Sequence, residues 1–322
     1  MEKMVVTGGA GFIGSNLAEH LIKMGYSVIV VDNLSTGRLQ NLSGWSEKAG
    51  SRFQFLQIDI NETDQLRQAF SGVSCVFHLA AIPSVGRSID NPAATQAANI
   101  NGTLSVLTAA RDAGAKRVVA ASSSSVYGDD PNLPKREDRT GRCLSPYALS
   151  KVVTEEYCRL FHKLYGLETV ALRYFNVFGP RQDPNSHYAA VIPRFATLLL
   201  AGKQPTVYGD GEQSRDFTFI ANVIQANLKA ATSPNAPGEA FNIGCGTQTS
   251  LNQLIEKLNH ILESQTKPKY EDTRKGDVRH SVADIDKARK MLGYSPEITL
   301  ETGLKHVVDW YRNIANSTDG IS

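Results

Sequence analysis

Short apolar runs alternate with amphipathic stretches along the first 173 residues. Val5-Val6 leads through Thr7 into a glycine-rich turn, Gly8-Gly9-Ala10-Gly11, and then into a helical pattern that begins at Phe12 and includes Gly14. A second run, Val28-Ile29-Val30-Val31, ends in Asp32, and a third, Phe53-Gln54-Phe55-Leu56-Gln57-Ile58, ends in Asp59-Ile60. Residues 61–70 carry Leu66, Ala69 and Phe70 on one side, as an amphipathic helix does. A fourth strand is expected over 73–81, ending in Leu79-Ala80-Ala81, where the alanines leave room for close approach. Pro92 opens a long helix through Ala98, Leu104, Leu107 and Ala110 that Gly114 stops. Residues 117–121 form the next strand, which delivers Ser122-Ser123-Ser124-Ser125. Ser145-Pro146 then starts a helix that packs through Val152, Tyr157, Leu160, Phe161 and Leu164, and residues 167–173 return to the sheet. Strands alternating with helices in this way predict a doubly wound, parallel-sheet α/β domain.

Beyond Arg173-Tyr174-Phe175-Asn176-Val177-Phe178-Gly179-Pro180 the pattern is less regular. A helix over 189–202 is interrupted early by Pro193, and Thr206-Val207-Tyr208 reads as a strand. Further helices are expected over 222–231, from a cap near Ser250 to Leu262, and over 300–311, with a short strand at 241–244. Residues 1–178 therefore form one domain, and 179–322 form mainly a smaller C-terminal substrate-binding α/β domain, with some segments returning to the first. No repeat is visible, which excludes a solenoid.

Composition narrows the class. With 322 residues, 41% hydrophobic and 20% charged, and a net charge of +2, the chain resembles an ordinary soluble enzyme. It lacks the basic stripe of a nucleic-acid binder. Cys75, Cys143, Cys158 and Cys245 have no metal-ligand spacing, so free thiols in a reducing cytoplasm and no metal are expected. The apolar runs are too short to span a bilayer, and the chain enters its first strand directly, so no signal peptide is expected.

The turn carries the first chemistry. Strand, glycine turn, helix, strand and acid follow one another as a dinucleotide site requires. Gly8 and Gly11 permit the tight turn and the approach to a pyrophosphate, and Gly14 lets helix and strand pack closely. Asp32 suits an adenosine ribose and repels a 2′-phosphate. Asn33, Leu34, Ser35, Thr36 and Gly37 follow with no arginine before Arg38, so the cofactor expected is NAD.

Tyr147 and Lys151 lie four apart, on one helix face. An ammonium beside a phenol favours the phenolate, a base able to take a proton from a sugar hydroxyl while the carbinol hydride passes to NAD. Ser123, at a parallel strand's C-terminal end, would hold the same oxygen. Asn99 reads on its own as a surface or cap residue.

These residues carry a resemblance. The 7–15 turn, Asp59-Ile60, Leu79-Ala80-Ala81, Ser123, the Tyr147/Lys151 pair and 173–180 together resemble the extended short-chain dehydrogenase/reductase family and its NAD-binding Rossmann domain. Within that family the chain is similar to nucleotide-sugar C4 epimerases, above all those that interconvert UDP-N-acetylglucosamine and UDP-N-acetylgalactosamine for polysaccharide biosynthesis. The most specific matches are Arg181-Gln182-Asp183-Pro184-Asn185 with 188–193, Gly209-Asp210-Gly211 with Ser214-Arg215-Asp216-Phe217, and 276–281.

The resemblance implies that NAD stays bound while C4 is oxidised, the 4-keto sugar turns over, and hydride and proton return on the other face. It implies catalysis by Ser123, Tyr147 and Lys151. Cofactor contacts are implied from Gly8, Gly11, Phe12, Ile13, Gly14, Asp32, Asn33, Ser35, Thr36, Gly37, Asp59, Ile60, Leu79, Ala80, Ala81, Asn99 and Tyr174, besides Tyr147 and Lys151. Asn176, Arg215 and Arg274 match phosphate contacts and Asp277 a uridine ribose contact. Ser84, Ser123, Ser125 and Gln182 match residues around the hexose, and Val191 and Tyr208 complete the substrate set. Ser281 stands where epimerases restricted to UDP-glucose and UDP-galactose have a bulky tyrosine, which leaves volume for a 2-acetamido group. A homodimer is implied, joined through the helices around 95–113 and 147–165.

Two departures stand out. Pro83 replaces a glycine of similar enzymes in the sugar-side loop, and 131–142 is charged enough to alter access. Sugar 4,6-dehydratases need an acidic pair just after the serine, whereas Ser124, Ser125 and Val126 follow Ser123 here. The runner-up is a UDP-glucuronate 4-epimerase or decarboxylase, for which Arg87 and His187 are the candidate cations. A regulator that binds NAD without chemistry would predict a broken tyrosine and lysine pair, and both residues are intact.

Overall fold

Residues 1–185, 190–273 and 278–318 are described in this computed structural model. Seven strands form one sheet in the order Ala240–Ile243, Glu168–Tyr174, Arg117–Ser123, Cys75–His78, Lys3–Thr7, Ser27–Val31 and Phe53–Leu56, with every pairing parallel. The direction of winding reverses between Lys3–Thr7 and Cys75–His78. A crevice therefore opens at the carboxyl ends of those strands, where sheets of this kind hold ligands.

The near-continuous apolar runs follow from burial on both faces. Val6, Phe77 and Val119 point into one core, which holds Leu17 and Val223 from the helices Phe12–Lys23 and Ile220–Thr232. Their neighbours Val5, Val76 and Val118 point into the other, with Leu66, Leu107 and Phe161. One strand thus joins two cores. The alternation of side chains along a strand requires it.

The chain does not divide cleanly after Phe178. Strand Ala240–Ile243 comes back to form the sheet's edge beside Glu168–Tyr174, helix Asp286–Leu292 packs on it, and helix Ile220–Thr232 packs on Arg117–Ser123 and Glu168–Tyr174. The smaller part is built from paired short strands: Thr206–Tyr208 with Lys269–Glu271, Ser214–Arg215 with Thr249–Ser250, and Val177–Phe178 with Thr218–Phe219. Helices Val191–Leu200, Leu251–Leu262 and Leu300–Thr318 pack around them. Ser250 caps the second of these in a reciprocal pair with Gln253.

Local details differ from the pattern's expectation. Pro193 does not interrupt its helix, because it sits in the first turn of Val191–Leu200, where the backbone N–H has no intrahelical partner to lose. The long helix expected from Pro92 is broken instead by a wide π turn, Gln96–Asn101, between Pro92–Thr95 and Gly102–Asp112. The charged stretch 131–142 folds against the smaller part. There the Lys135 carbonyl accepts from Asn242 Nδ2 at 2.8 Å and from the Asp284 N–H at 2.9 Å. Among the described residues no helix is long and apolar enough to cross a membrane.

The tightest packing is at the first helix. A Cβ on Gly14 would overlap the Gly8 carbonyl, and one on Gly8, whose φ is +68°, would lie 2.6 Å from the Ala80 nitrogen. Both neighbours are backbone and cannot move aside. Gly14→Ala is expected to cost about 1–3 kcal/mol, the usual penalty of overpacking, in urea denaturation, and to leave the purified protein with little bound NAD.

Candidate active site

The crevice is a cavity of about 890 Å³ that runs from the glycine turn past Tyr147 and Lys151 to Gln182. Helix Phe12–Lys23 starts at Gly11, whose lack of a side chain leaves the first-turn N–H groups uncapped toward it. Gly8, Gly11, Phe12, Ile13 and Gly14 form this wall. Helix dipole and free donors favour an anion there.

Asp32 serves two purposes at the end of its strand. One carboxylate oxygen accepts the Ala10 N–H at 3.0 Å and the other the Leu34 N–H at 2.8 Å, while the side chain still faces the cavity. Burial pushes its carboxyl above the usual range against the pull of those two donors. Gly37 is required beside it, since a Cβ would lie 2.8 Å from both carboxylate oxygens. Asn33 donates to Asp59 at 2.8 Å. Burial raises Asp59, but donors from Asn61 and Asn33 outweigh it and hold the carboxyl low. Asn33, Ser35, Thr36, Asp59, Ile60, Leu79, Ala80 and Ala81 all line the cavity.

The reactive groups stand on helix Pro146–Tyr165, capped by Ser145, whose hydroxyl accepts the Ala148 N–H at 3.1 Å. The Ser123 hydroxyl, which accepts the Ser125 N–H at 3.1 Å, stands close enough to Tyr147 to favour its phenolate. The Lys151 Nζ lies 5.8 Å from the Tyr147 ring centroid and donates to the Ala121 carbonyl at 2.8 Å. Burial pushes the lysine down to about 8. The same burial pushes the Tyr147 phenol up, and the Ser123 hydroxyl only partly offsets it. The ammonium alone therefore does not bring this phenol toward neutrality; burial wins.

Asn99 is neither a surface residue nor a helix cap. It is 1% exposed on the π turn, takes the Ile82 N–H at 2.8 Å, and donates to the Ile82 carbonyl at 3.2 Å and to Ser150 Oγ at 3.1 Å. It fixes the cavity wall at Ile82 to the catalytic helix. Beneath it, buried His78 bridges the Thr7 and Thr103 hydroxyls at 2.8 and 3.0 Å. Tyr174 reaches the cavity, with its hydroxyl bonded to the Asn227 amide.

The substrate-side residues are spread more widely. Ser84 and Gln182 line the cavity. Ser84 has φ +98° and caps helix Val85–Asp90 through a long bond, 3.5 Å, from the Arg87 N–H, so Pro83 leads into a strained turn. Ser125 Oγ and Gln182 Oε1 are buried without a hydrogen-bond partner among the described residues. Asn176 adopts φ +31° at the exit of its strand, and Val191 opens its helix. Arg215 and Ser281 meet in the smaller part, where the Ser281 N–H donates to the Ser214 carbonyl at 3.1 Å and Arg215 donates to that same carbonyl at 2.9 Å, while Tyr208 ends its strand with its carbonyl bonded by Gln213 at 2.6 Å. Arg274, Asp277 and His187 lie outside the described residues.

The pattern along the chain misses part of the wall. Trp310, Tyr311 and Ile314 of the last helix close the cavity, with the Tyr311 hydroxyl donating to the Gln182 carbonyl at 2.6 Å. Arg181 pairs with Glu19 on the first helix, and Arg38 pairs with Asp183 at 2.5 Å across the mouth. No local signal marks these partners, which lie more than 100 residues apart in the chain.

The family profile of NAD dependent epimerases and dehydratases matches residues 4–244. The chain belongs to the NAD dependent epimerase/dehydratase family. Within that family, a UDP-glucose 4-epimerase of Mycolicibacterium smegmatis is 38% identical over 314 residues, which is 97% of this chain and 99% of that protein. The structure of a UDP-N-acetylglucosamine 4-epimerase from Methanobrevibacter ruminantium M1, in complex with UDP-N-acetylmuramic acid, superposes with a TM-score of 0.92 at 40% identity, covering 97% and 99% of the two chains. A UDP-glucuronic acid 4-epimerase from Bacillus cereus, in complex with UDP-glucuronic acid and NAD, gives 0.88 at 35% identity with the same coverage. The cofactor is NAD, and the glycine cradle with Asp32 beside it fits one: donors for a diphosphate, a carboxylate for a ribose.

His78 gives the site a pH dependence of its own. Burial pushes its imidazole down to about 3, with the Lys151 charge adding to the effect. The unfolded chain then binds one more proton than the folded one between about pH 6.5 and 3, so this contribution is lost as pH falls through that window, at up to about 1.4 kcal/mol per unit. Urea denaturation from pH 7 to 4 should show a shallower fall in His78→Gln than in the parent protein.

Proposed function

We propose that this protein is a UDP-sugar 4-epimerase that interconverts UDP-N-acetylglucosamine and UDP-N-acetylgalactosamine, and also accepts UDP-glucose and UDP-galactose. The observation that carries the reading is the Tyr147 and Lys151 pair, with the Lys151 Nζ 5.8 Å from the Tyr147 ring centroid, on the wall of the cavity that the glycine cradle opens. Bound NAD supplies the hydride acceptor and a positive charge that favours ionisation of the phenol.

Tyr147 takes the proton of the C4 hydroxyl and later returns it. Ser123 donates to the same oxygen and fixes its distance from the base, and Lys151 holds its charge beside the phenol throughout. Because proton and hydride must return to the opposite face of C4, the sugar has to be gripped away from its ring. Arg215 and Asn176 are assigned to the diphosphate, with Arg274 and Asp277 extending that grip toward the nucleoside. A guanidinium suits phosphate oxygens, and a diphosphate tether leaves the hexose free to turn. Gln182 Oε1, on the cavity wall and buried without a hydrogen-bond partner among the described residues, supports a polar guest there.

The preference for acetylated sugars rests on Ser281, a small residue whose backbone N–H bonds the same Ser214 carbonyl that Arg215 does. UDP-glucuronate is the second reading, since Arg87 lines the cavity. Arg38, the cation nearest in sequence to Asp32, is paired with Asp183, which supports NAD over its 2′-phosphorylated form.

A homodimer joined through the helices Gly102–Asp112 and Pro146–Tyr165 is part of the proposal. Val85, Ile89, Leu104 and Leu149 leave apolar surface exposed on these and the neighbouring short helix.

Purified protein is expected to epimerise UDP-N-acetylglucosamine with a higher kcat/KM than UDP-glucose, and to leave UDP-glucuronate unchanged; turnover of UDP-glucuronate alone reverses the reading. Ser281→Tyr should lower kcat/KM for the acetylated sugar by about tenfold or more while sparing UDP-glucose. In sedimentation, Leu149→Glu is expected to shift a dimer to a monomer.

A further inference from the structure

The catalytic helix is bonded to the catalytic strand at two successive residues, Ala121 and Ser122, next to Ser123. Tyr147, Lys151 and Glu155 are spaced four apart on one face of helix Pro146–Tyr165. Lys151 donates to the Ala121 carbonyl at 2.8 Å, and the Ser122 hydroxyl donates to Glu155 Oε1 at 2.5 Å, while Tyr147 stands at the Ser123 end of the strand. Tyr147 and Lys151 act in the reaction as read above. Glu155 has no assigned part.

Its setting is unusual for a structural carboxylate. The side chain is 12% exposed and is held by both ends of the Arg173 guanidinium, with Nε donating to Oε1 at 2.9 Å and Nη2 to Oε2 at 2.8 Å. Arg173, itself 6% exposed, stands on the adjacent strand and donates from Nη1 to the Tyr127 hydroxyl at 3.0 Å. Tyr127 in turn donates to Asn242 Oδ1 at 2.6 Å on the returning edge strand. The carboxylate is thereby fixed from three elements, and its helix position is one turn from the ammonium.

We propose that Glu155 is a positioning residue for the epimerisation: its carboxylate sets the register between the catalytic helix and the strand bearing Ser123, and supplies the negative charge that keeps Lys151 in its ammonium form. The proposal rests on the assignment of Tyr147, Lys151 and Ser123 given above. Charge bookkeeping supports it. The groups around Lys151 are Tyr147, Glu155 and Cys158 on its own helix, His78 on the neighbouring strand, and Arg173 behind Glu155. Burial holds the Cys158 thiol at about 12 and His78 at about 3, so both are neutral in the working range. Glu155 therefore opposes the desolvation of the lysine, and without it Lys151 loses its proton at lower pH.

Two substitutions separate register from charge. Ser122→Ala removes the hydroxyl and keeps the carboxylate; kcat is expected to fall several-fold up to about a hundredfold, the range that small misplacements cause, with KM and the pH profile unchanged. Glu155→Gln should lower kcat similarly and also move the basic limb of the kcat/KM profile down by about one unit. Glu155→Asp, which keeps the charge and shortens the reach, should restore the limb but not kcat. If Glu155→Gln fails to fold because Arg173 is left as an unpaired buried charge, Glu155→Leu with Arg173→Met removes both charges and should show the same downward limb. A parental limb and kcat in the folded Glu155 variants would overturn the proposal. Tyr147→Phe serves as the control: substantial activity in that variant removes the catalytic assignment itself and is distinguishable from a failure at Glu155.

Discussion

Everything in the site hangs from one close approach. Helix Phe12–Lys23 crosses the start of the sheet so near that no side chain fits between Gly14 and the Gly8 carbonyl, or between Gly8 and the Ala80 backbone. That contact brings the ends of Lys3–Thr7 and Cys75–His78 together at the point where the winding reverses. It aims uncapped N–H groups into the crevice, and it lets Asp32 tie the turn through Ala10 while facing outward. A methyl group at either glycine separates these elements, and no other part of the chain supplies a substitute.

From that fixed point the catalytic side is built by side chains that look inward in pairs. Asn99 joins the cavity wall to the catalytic helix, His78 joins the glycine strand to Thr103, and Glu155 joins helix to strand with Arg173 behind it. Each bond crosses between elements. These bonds join groups that are largely buried, where each hydrogen bond carries more weight than in solvent. The same burial raises the Tyr147 phenol and lowers Lys151, so the charges that make the phenol useful have to come from neighbours fixed in place.

What the pattern reveals and what it hides follow from distance along the chain. The glycine turn, Asp32 and the Tyr147/Lys151 pair are legible because each works through spacing of a few residues. The seven-strand sheet was legible for its first six strands, whose apolar runs need both faces covered. Its seventh, Ala240–Ile243, was visible as a strand, but its return beside Glu168–Tyr174 was not, since nothing local records the partner. Asn99 reads on its own as a surface or cap residue because most polar residues are exposed, and nothing local marks the π turn on which it is buried. Pro193 looked like an interruption because the helix start was placed two residues early. The wall from Trp310 to Ile314, and the Arg38–Asp183 and Arg181–Glu19 pairs, arise only when distant segments meet.

The central claim is that the hydrogen on C4 is removed and returned within one closed site. The direct measurement uses UDP-N-acetylglucosamine deuterated at C4, incubated with purified protein and no added cofactor, and follows the label in the epimerised product by NMR. The account predicts that deuterium stays on C4 with inverted configuration. Loss of the label to solvent would mean that C4 is inverted by carbon deprotonation or by another route, and the roles given to Tyr147, Lys151 and Ser123 would be contradicted.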